Sequence, residues 1–225
     1  RKPPKARIPQ GVRALGNGCG LMTIPTLDFS VPPQHLFIFY PLLRRGVGIL
    51  TEKGRTVLQF LHEDLGLSEE TVKNRVQTVF LNGHPADDLH GTSLTDSDVL
   101  TLSAAMPGLL GACMRVDSPY AAMRESISQT RQDRQQSRAL AGELRFTLKL
   151  FNFMASEIGP GVLTRGVYLR QEQLQELMEQ AAAHDLLKDG VRLKVDGEVL
   201  DLEQESPAVV LGSSDTVFVR CLSNG

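Results

Sequence analysis

Between Leu144 and Leu150 apolar and polar residues alternate, with Leu144, Phe146, Leu148 and Leu150 on one parity and Arg145, Thr147 and Lys149 on the other. That two-residue period predicts a strand with one buried face, placed over residues 144–155. Ile158-Gly159-Pro160-Gly161 reads as a turn, and Val162 to Leu169 as a returning strand. The period then lengthens. Leu174, Leu177, Met178, Ala181 and Ala182 recur at helical spacing, and Asp189-Gly190 ends the segment. Val191 to Val195 predicts a strand closing on Asp196-Gly197, and Asp215 to Leu222 a final strand.

The earlier part of the chain gives the same order. The apolar run LFIFYPLL from Leu36 predicts a strand, Arg44-Arg45-Gly46 a turn, and Val47 to Thr51 a strand completing a hairpin closed by Lys53-Gly54. Thr56 is placed to cap a helix whose stripe is Val57, Leu58, Phe60, Leu61 and Leu65, ended by Gly66. Ser68 with Glu69 and Glu70 opens a second short helix, the carboxylates favouring its N-terminus. Val76 to Leu81 predicts a strand broken by Asn82-Gly83, and Asp98 to Ala104 the next. The apolar segment Met106 to Met114 is assigned no element. Residues 1–34, rich in Pro and Gly, predict an extended leader, and residues 117–142, dominated by Gln and Arg, a partly helical solvated linker. The divisions are therefore a leader 1–34, a domain 35–116, a linker 117–142 and a domain 143–225. A cut at Gly142 is expected to leave two independently folding halves.

Both halves thus read as hairpin, helix, strand ending in Asn/Asp-Gly, variable loop, and strand opened by Asp. This order resembles the ubiquitin-like β-grasp superfamily. The first copy is most similar to the small sulfur-carrier proteins of thiamine and molybdopterin synthesis. The matching stretches are Thr56-Val57-Leu58-Gln59-Phe60-Leu61, Val79-Phe80-Leu81-Asn82-Gly83 and Leu94-Thr95-Asp96-Ser97-Asp98-Val99. The resemblance implies an α+β fold: a tandem duplication of a β-grasp domain, each copy a mixed sheet with one packed helix. It implies a non-enzymatic protein-binding or scaffold module. The alternative is a sulfur-carrier-like protein or accessory of cofactor synthesis, acting through a C-terminal carboxylate at Gly225. The carriers end in Gly-Gly, whereas Asn224 holds the penultimate position here.

Composition trims the alternatives. A net charge of −2 argues against nucleic acid as the main partner, although Arg1, Lys2, Lys5, Arg7 and Arg13 all precede the first acidic residue. The sequence lacks an apolar run long enough for a membrane span, and the basic start has no apolar segment behind it as a secretory signal would. Cys19, Cys113 and Cys221 form no CxxC pair, which points to a reducing, cytoplasmic setting and no cofactor framework. The loop residues His84, Asp87, Asp88 and His90 combine metal-ligand chemistries, but Pro85 and the absence of helical or strand spacing define no ligand geometry. His62 lies on the polar side of its helix, and His184 falls at a helix C-terminus, a favourable place for its charge. The Gly-rich stretch around Cys19 lacks the GK[ST] ending of a phosphate loop, and nothing resembles a nucleophile elbow, so no catalytic residue is assigned. Another protein is the expected partner, with Leu109 and Leu110 as its candidate contacts.

Overall fold

The computed structural model describes residues 24–106, 108–116, 118–120, 142–184, 186, 191–200 and 214–223. These form a mixed α+β structure in two compact units. One unit spans Leu43–Gly159. The other is built from segments that end at Leu42 and resume at Pro160. The units are therefore not the consecutive halves 35–116 and 143–225.

In chain order the elements are β1 (Thr26–Val31), α1 (Pro33–Phe39, wound as a 3-10 helix), α2 (Tyr40–Arg45), β2 (Val47–Glu52) and α3 (Val57–Gln59). A π-helical turn, α4 (Phe60–Asp64), continues α3, and α5 (Glu69–Arg75), β3 (Thr78–Leu81), β4 (His84–Pro85), β5 (Val99–Ser103) and α6 (Gly108–Met114) follow. The later elements are β6 (Glu143–Phe151), α7 (Met154–Glu157), α8 (Gly159–Arg165), β7 (Val167–Arg170), α9 (Gln171–Ala183), β8 (Arg192–Val195), β9 (Glu198–Leu200) and β10 (Thr216–Ser223).

In the first unit the strand order is β4-β3-β5-β6-β2. β6 runs parallel to β5 and antiparallel to β2, and β3 is antiparallel to both β5 and β4. In the second unit the order is β7-β10-β1-β8-β9, with β1 parallel to β10 and every other pair antiparallel. Each sheet thus completes itself with a strand from a distant part of the chain: β6 in the first, β1 in the second.

Alternation explains why these two strands sit inside. Leu144, Phe146, Leu148 and Leu150 of β6 are buried, as their period predicts, and Phe146 meets Phe60 of α4 edge to face with centroids 5.0 Å apart. Leu27, Phe29 and Val31 of β1 are buried in the same way, and Phe29 stacks edge to face on Phe39 of α1 at 5.7 Å. Between them on the other face, Asp28 accepts two hydrogen bonds from Arg220 of β10, at 2.7 and 2.8 Å.

The two units share one device. Asn82 (φ 53°) and Asp196 (φ 48°) follow β3 and β8, each with a positive-φ glycine behind it, which gives a tight turn. Asn82 N–H donates to the Val99 carbonyl at 2.9 Å, and its Oδ1 accepts from the Val99 N–H at 2.8 Å. Asp196 N–H donates to the Thr26 carbonyl at 2.8 Å, and its Oδ1 accepts from the Thr26 N–H at 2.9 Å. β1 is therefore held against β8 as β5 is held against β3. Gly46 (φ +118°) and Gly166 (φ +102°) precede β2 and β7, and a Cβ on Gly166 would lie 2.2 Å from the Phe218 ring.

Three expectations are corrected. The run from Leu36 is not a strand: Pro33 opens a helical segment, and Ile38, Phe39, Leu42 and Leu43 are buried from it. A continuous apolar run carries no period, so helix and buried strand look alike in it. Ile158 to Gly161 is not a hairpin turn. Helices α7 and α8 occupy 154–165, with Pro160 in the first turn of α8, where its missing N–H breaks no helical bond. The segment 1–34 is not extended leader throughout, because Thr26–Val31 is an inner strand. Most of the expected linker, and with it the Asp189-Gly190 stop, lies outside the described residues.

The remaining helices follow their caps. Thr56 and Gln59 form a reciprocal capping box, with Gln59 N–H donating to Thr56 Oγ1 at 3.2 Å and Thr56 N–H to Gln59 Oε1 at 3.0 Å. Ser68 caps α5. α9 buries Leu174, Leu177 and Ala181, while Ala182 is exposed.

Candidate functional site

The residues that carry the family resemblance form a structural lock. Asn82 Nδ2 donates to Asp98 Oδ1 at 2.8 Å, and Asp98 Oδ2 accepts from the Thr95 N–H at 2.7 Å. Asp98 is buried, and its carbonyl accepts from the Thr147 N–H of β6 at 2.8 Å. Asp96 accepts from the Arg145 N–H at 2.9 Å. The Asn-Gly turn and the Asp-x-Asp segment thus fix where β5 and β6 begin.

The loop after β4 is likewise packed. Ala86, Leu89 and Leu94 are buried, the Leu58 N–H donates to the Leu89 carbonyl at 3.0 Å, and the Val57 N–H to the Thr92 carbonyl at 2.9 Å. The Asp88 carboxylate accepts from the Gly91 N–H at 2.8 Å, closing a local turn. His84 and His90 are exposed. Among the described residues no group of three or more His, Cys, Asp or Glu is placed to hold a metal ion, so His84, Asp87, Asp88 and His90 are not brought together as ligands.

His62 Nδ1–H donates to the Leu67 carbonyl at 2.7 Å, stapling the end of α4. His184 meets Phe37 edge to face at 5.3 Å. Cys113 and Cys221 are buried, and burial pushes the Cys221 thiol well above its ordinary range, which disfavours the nucleophilic thiolate. Cys19 lies outside the described residues. Arg55 gathers Glu52, Glu63 and Asp64, the last also accepting from Thr51 Oγ1 at 2.8 Å. Burial opposes the Arg55 charge, but the hydrogen bond to Glu63 and the three carboxylates outweigh it and hold the guanidinium above its usual value. This cluster ties the end of β2 to α4.

Apolar exposure gives the remaining candidate. Leu109 of α6 is 65% exposed, while the Leu110 side chain and Gly225 lie outside the described residues. The structure adds Phe153 (75% exposed) and Phe151 (41% exposed), which sequence reasoning missed. Phe151 lies across from Ser103 in the β5–β6 register, and Asn152 Nδ2 donates to Ser103 Oγ at 2.9 Å. Phe151 and Phe153 thus stand where β6 runs out beside the last residue of β5, and α6, which carries Leu109, begins at Gly108 in the segment that follows β5. The signal was present: Phe151 breaks the strand's parity, the aromatic standing on the polar side.

No known family model, curated protein or solved structure matches this chain. No helix among the described residues is long and apolar enough to cross a membrane.

Proposed function

We propose that this chain is a non-enzymatic protein-binding scaffold made of two ubiquitin-like β-grasp domains. What supports the fold reading is the sheet of each unit, whose single parallel pair is flanked by antiparallel neighbours, as in a β-grasp sheet. A helix whose apolar stripe is buried, α9 in one unit and the α3–α4 run in the other, completes the likeness. The observation that carries the function is the exposure of Phe151 and Phe153 at the end of β6 and of Leu109 on α6. Large apolar side chains grouped at a surface mark binding sites, and aromatic anchors in them carry much of the affinity.

The test compares three baits in affinity purification: the wild type, a Leu109→Asp/Phe153→Asp variant, and a Val199→Asp control, Val199 being equally exposed at 65% in the other unit. Proteins retained by the wild type and control but lost from the double variant sustain the reading. Identical sets on all three baits end it.

A further inference from the structure

The slot between β10 and β8 is a receptor for one particular extended segment. β1 fills it with hydrogen-bonded neighbours on both edges. The arm to which β1 belongs, residues 24–42, buries Leu27, Phe29, Val31, Ile38, Phe39 and Leu42 to 2% exposure or less. Two polar contacts set its register: the two-bond Asp28–Arg220 pair, and the Thr26–Asp196 clamp at the strand's first residue. The arm's membership of its unit ends at Leu42, inside the six-residue helix α2, and the chain then enters the other unit.

None of these contacts depends on which copy of residues 43–159 the arm is attached to. A closed monomer and a pair of chains with traded arms make the same contacts within each unit. They differ in the connection through α2 and in the entropy of association. An unrelated peptide would have to reproduce Leu-x-Phe-x-Val with an acid after the leucine; a second copy does so by construction. We infer that this slot accepts β1 of a second copy of the chain, so that two chains pair by exchanging N-terminal arms. This goes beyond the scaffold reading and does not rest on Leu109, Phe151 or Phe153. The tether favours the chain's own arm when chains are dilute, so exchange is set by the concentration at which chains fold together.

Asp28 and Arg220 are register partners, which makes them reporters. Asp28→Cys is placed in one chain and Arg220→Cys in another, with Cys19→Ala, Cys113→Ala and Cys221→Ala in both. The two are unfolded together, refolded at about 100 µM and oxidised. A covalent dimer formed by the mixture and by neither chain alone is the expected result. Dimer absent from the mixture, while Asp28→Cys/Arg220→Cys on one chain cross-links internally, overturns the inference. Light scattering on the wild type keeps the test decisive if these variants fold poorly. Exchange predicts a dimer-to-monomer ratio that rises roughly in proportion to refolding concentration. Monomer alone at about 1 µM and at about 100 µM overturns it too.

Discussion

Cutting the chain after Gly142 separates β6 from the sheet it completes and β1 from the sheet it completes, so the two fragments are expected not to fold alone. The fragment 1–142 loses Leu144, Phe146, Leu148, Leu150 and Met154, all buried to 3% exposure or less. At about 1.5–3 kcal/mol per buried side chain, their removal costs about 8–15 kcal/mol. That equals the whole stability of a typical domain, about 5–15 kcal/mol. The fragment 143–225 loses Leu27, Phe29 and Val31, about 5–9 kcal/mol by the same measure, together with the Arg220 and Asp196 contacts. Circular dichroism melts and amide-proton dispersion of each fragment, then of an equimolar mixture, provide the assay. Neither fragment should melt cooperatively alone, and the mixture should regain a cooperative transition. A sharp, cooperative melt from either isolated fragment would refute the reasoning and restore the two independent halves that the repeated pattern suggested.

Asn82→Ala should cost about 2–3 kcal/mol in urea unfolding, since it leaves buried Asp98 and the Val99 N–H short of partners and puts a Cβ-bearing residue at positive φ without Asn's local hydrogen bonds. Gly166→Ala should lower the melting temperature more than Gly46→Ala. Its Cβ meets the Phe218 ring at 2.2 Å, whereas the nearest atom to Gly46 is the Thr147 methyl at 2.7 Å; equal losses would contradict this. Because burial raises the Cys221 thiol in the folded state, its contribution to stability is complete below the ordinary thiol value of 9.0 and is lost as pH rises above it. There the unfolded chain releases the proton and the folded chain keeps it. Urea midpoints followed from neutral to alkaline pH should fall more steeply for the wild type than for Cys221→Ala, and parallel curves would count against this.

What could be read from the residues was whatever has a local cause. The parity of Leu144 to Leu150, the Thr56 and Ser68 caps, and the Asn82-Gly83 and Asp196-Gly197 turns each arise within a few positions and lie where their chemistry puts them. The run from Leu36 misled because it is apolar on every face, and Pro160 because it suits a first helical turn as well as a loop. β1 was legible in principle, since Leu27, Phe29 and Val31 alternate, but Pro25, Pro32 and Pro33 around it argued for a leader. Which strand pairs with which could not be read locally, because the partners of β1 lie far along the chain and leave no periodic trace in it. The exposed apolar residues of the proposal were half legible: Leu109 stood out, while Phe151 and Phe153 were absorbed into a strand that ends sooner than expected.

The pairing of Asp28 with Arg220, 192 positions apart, sets a clock on how this protein can be made. A ribosome adding about 5–20 residues each second needs on the order of 10–40 s to deliver β10 after β1 has emerged. Until β8 and then β10 emerge, Leu27, Phe29 and Val31 have no neighbouring strand, whereas the other sheet has all its strands as soon as β6 follows. Newly made chain therefore carries this apolar strand with an open edge until β10 appears, and every neighbouring chain on the same message carries one too.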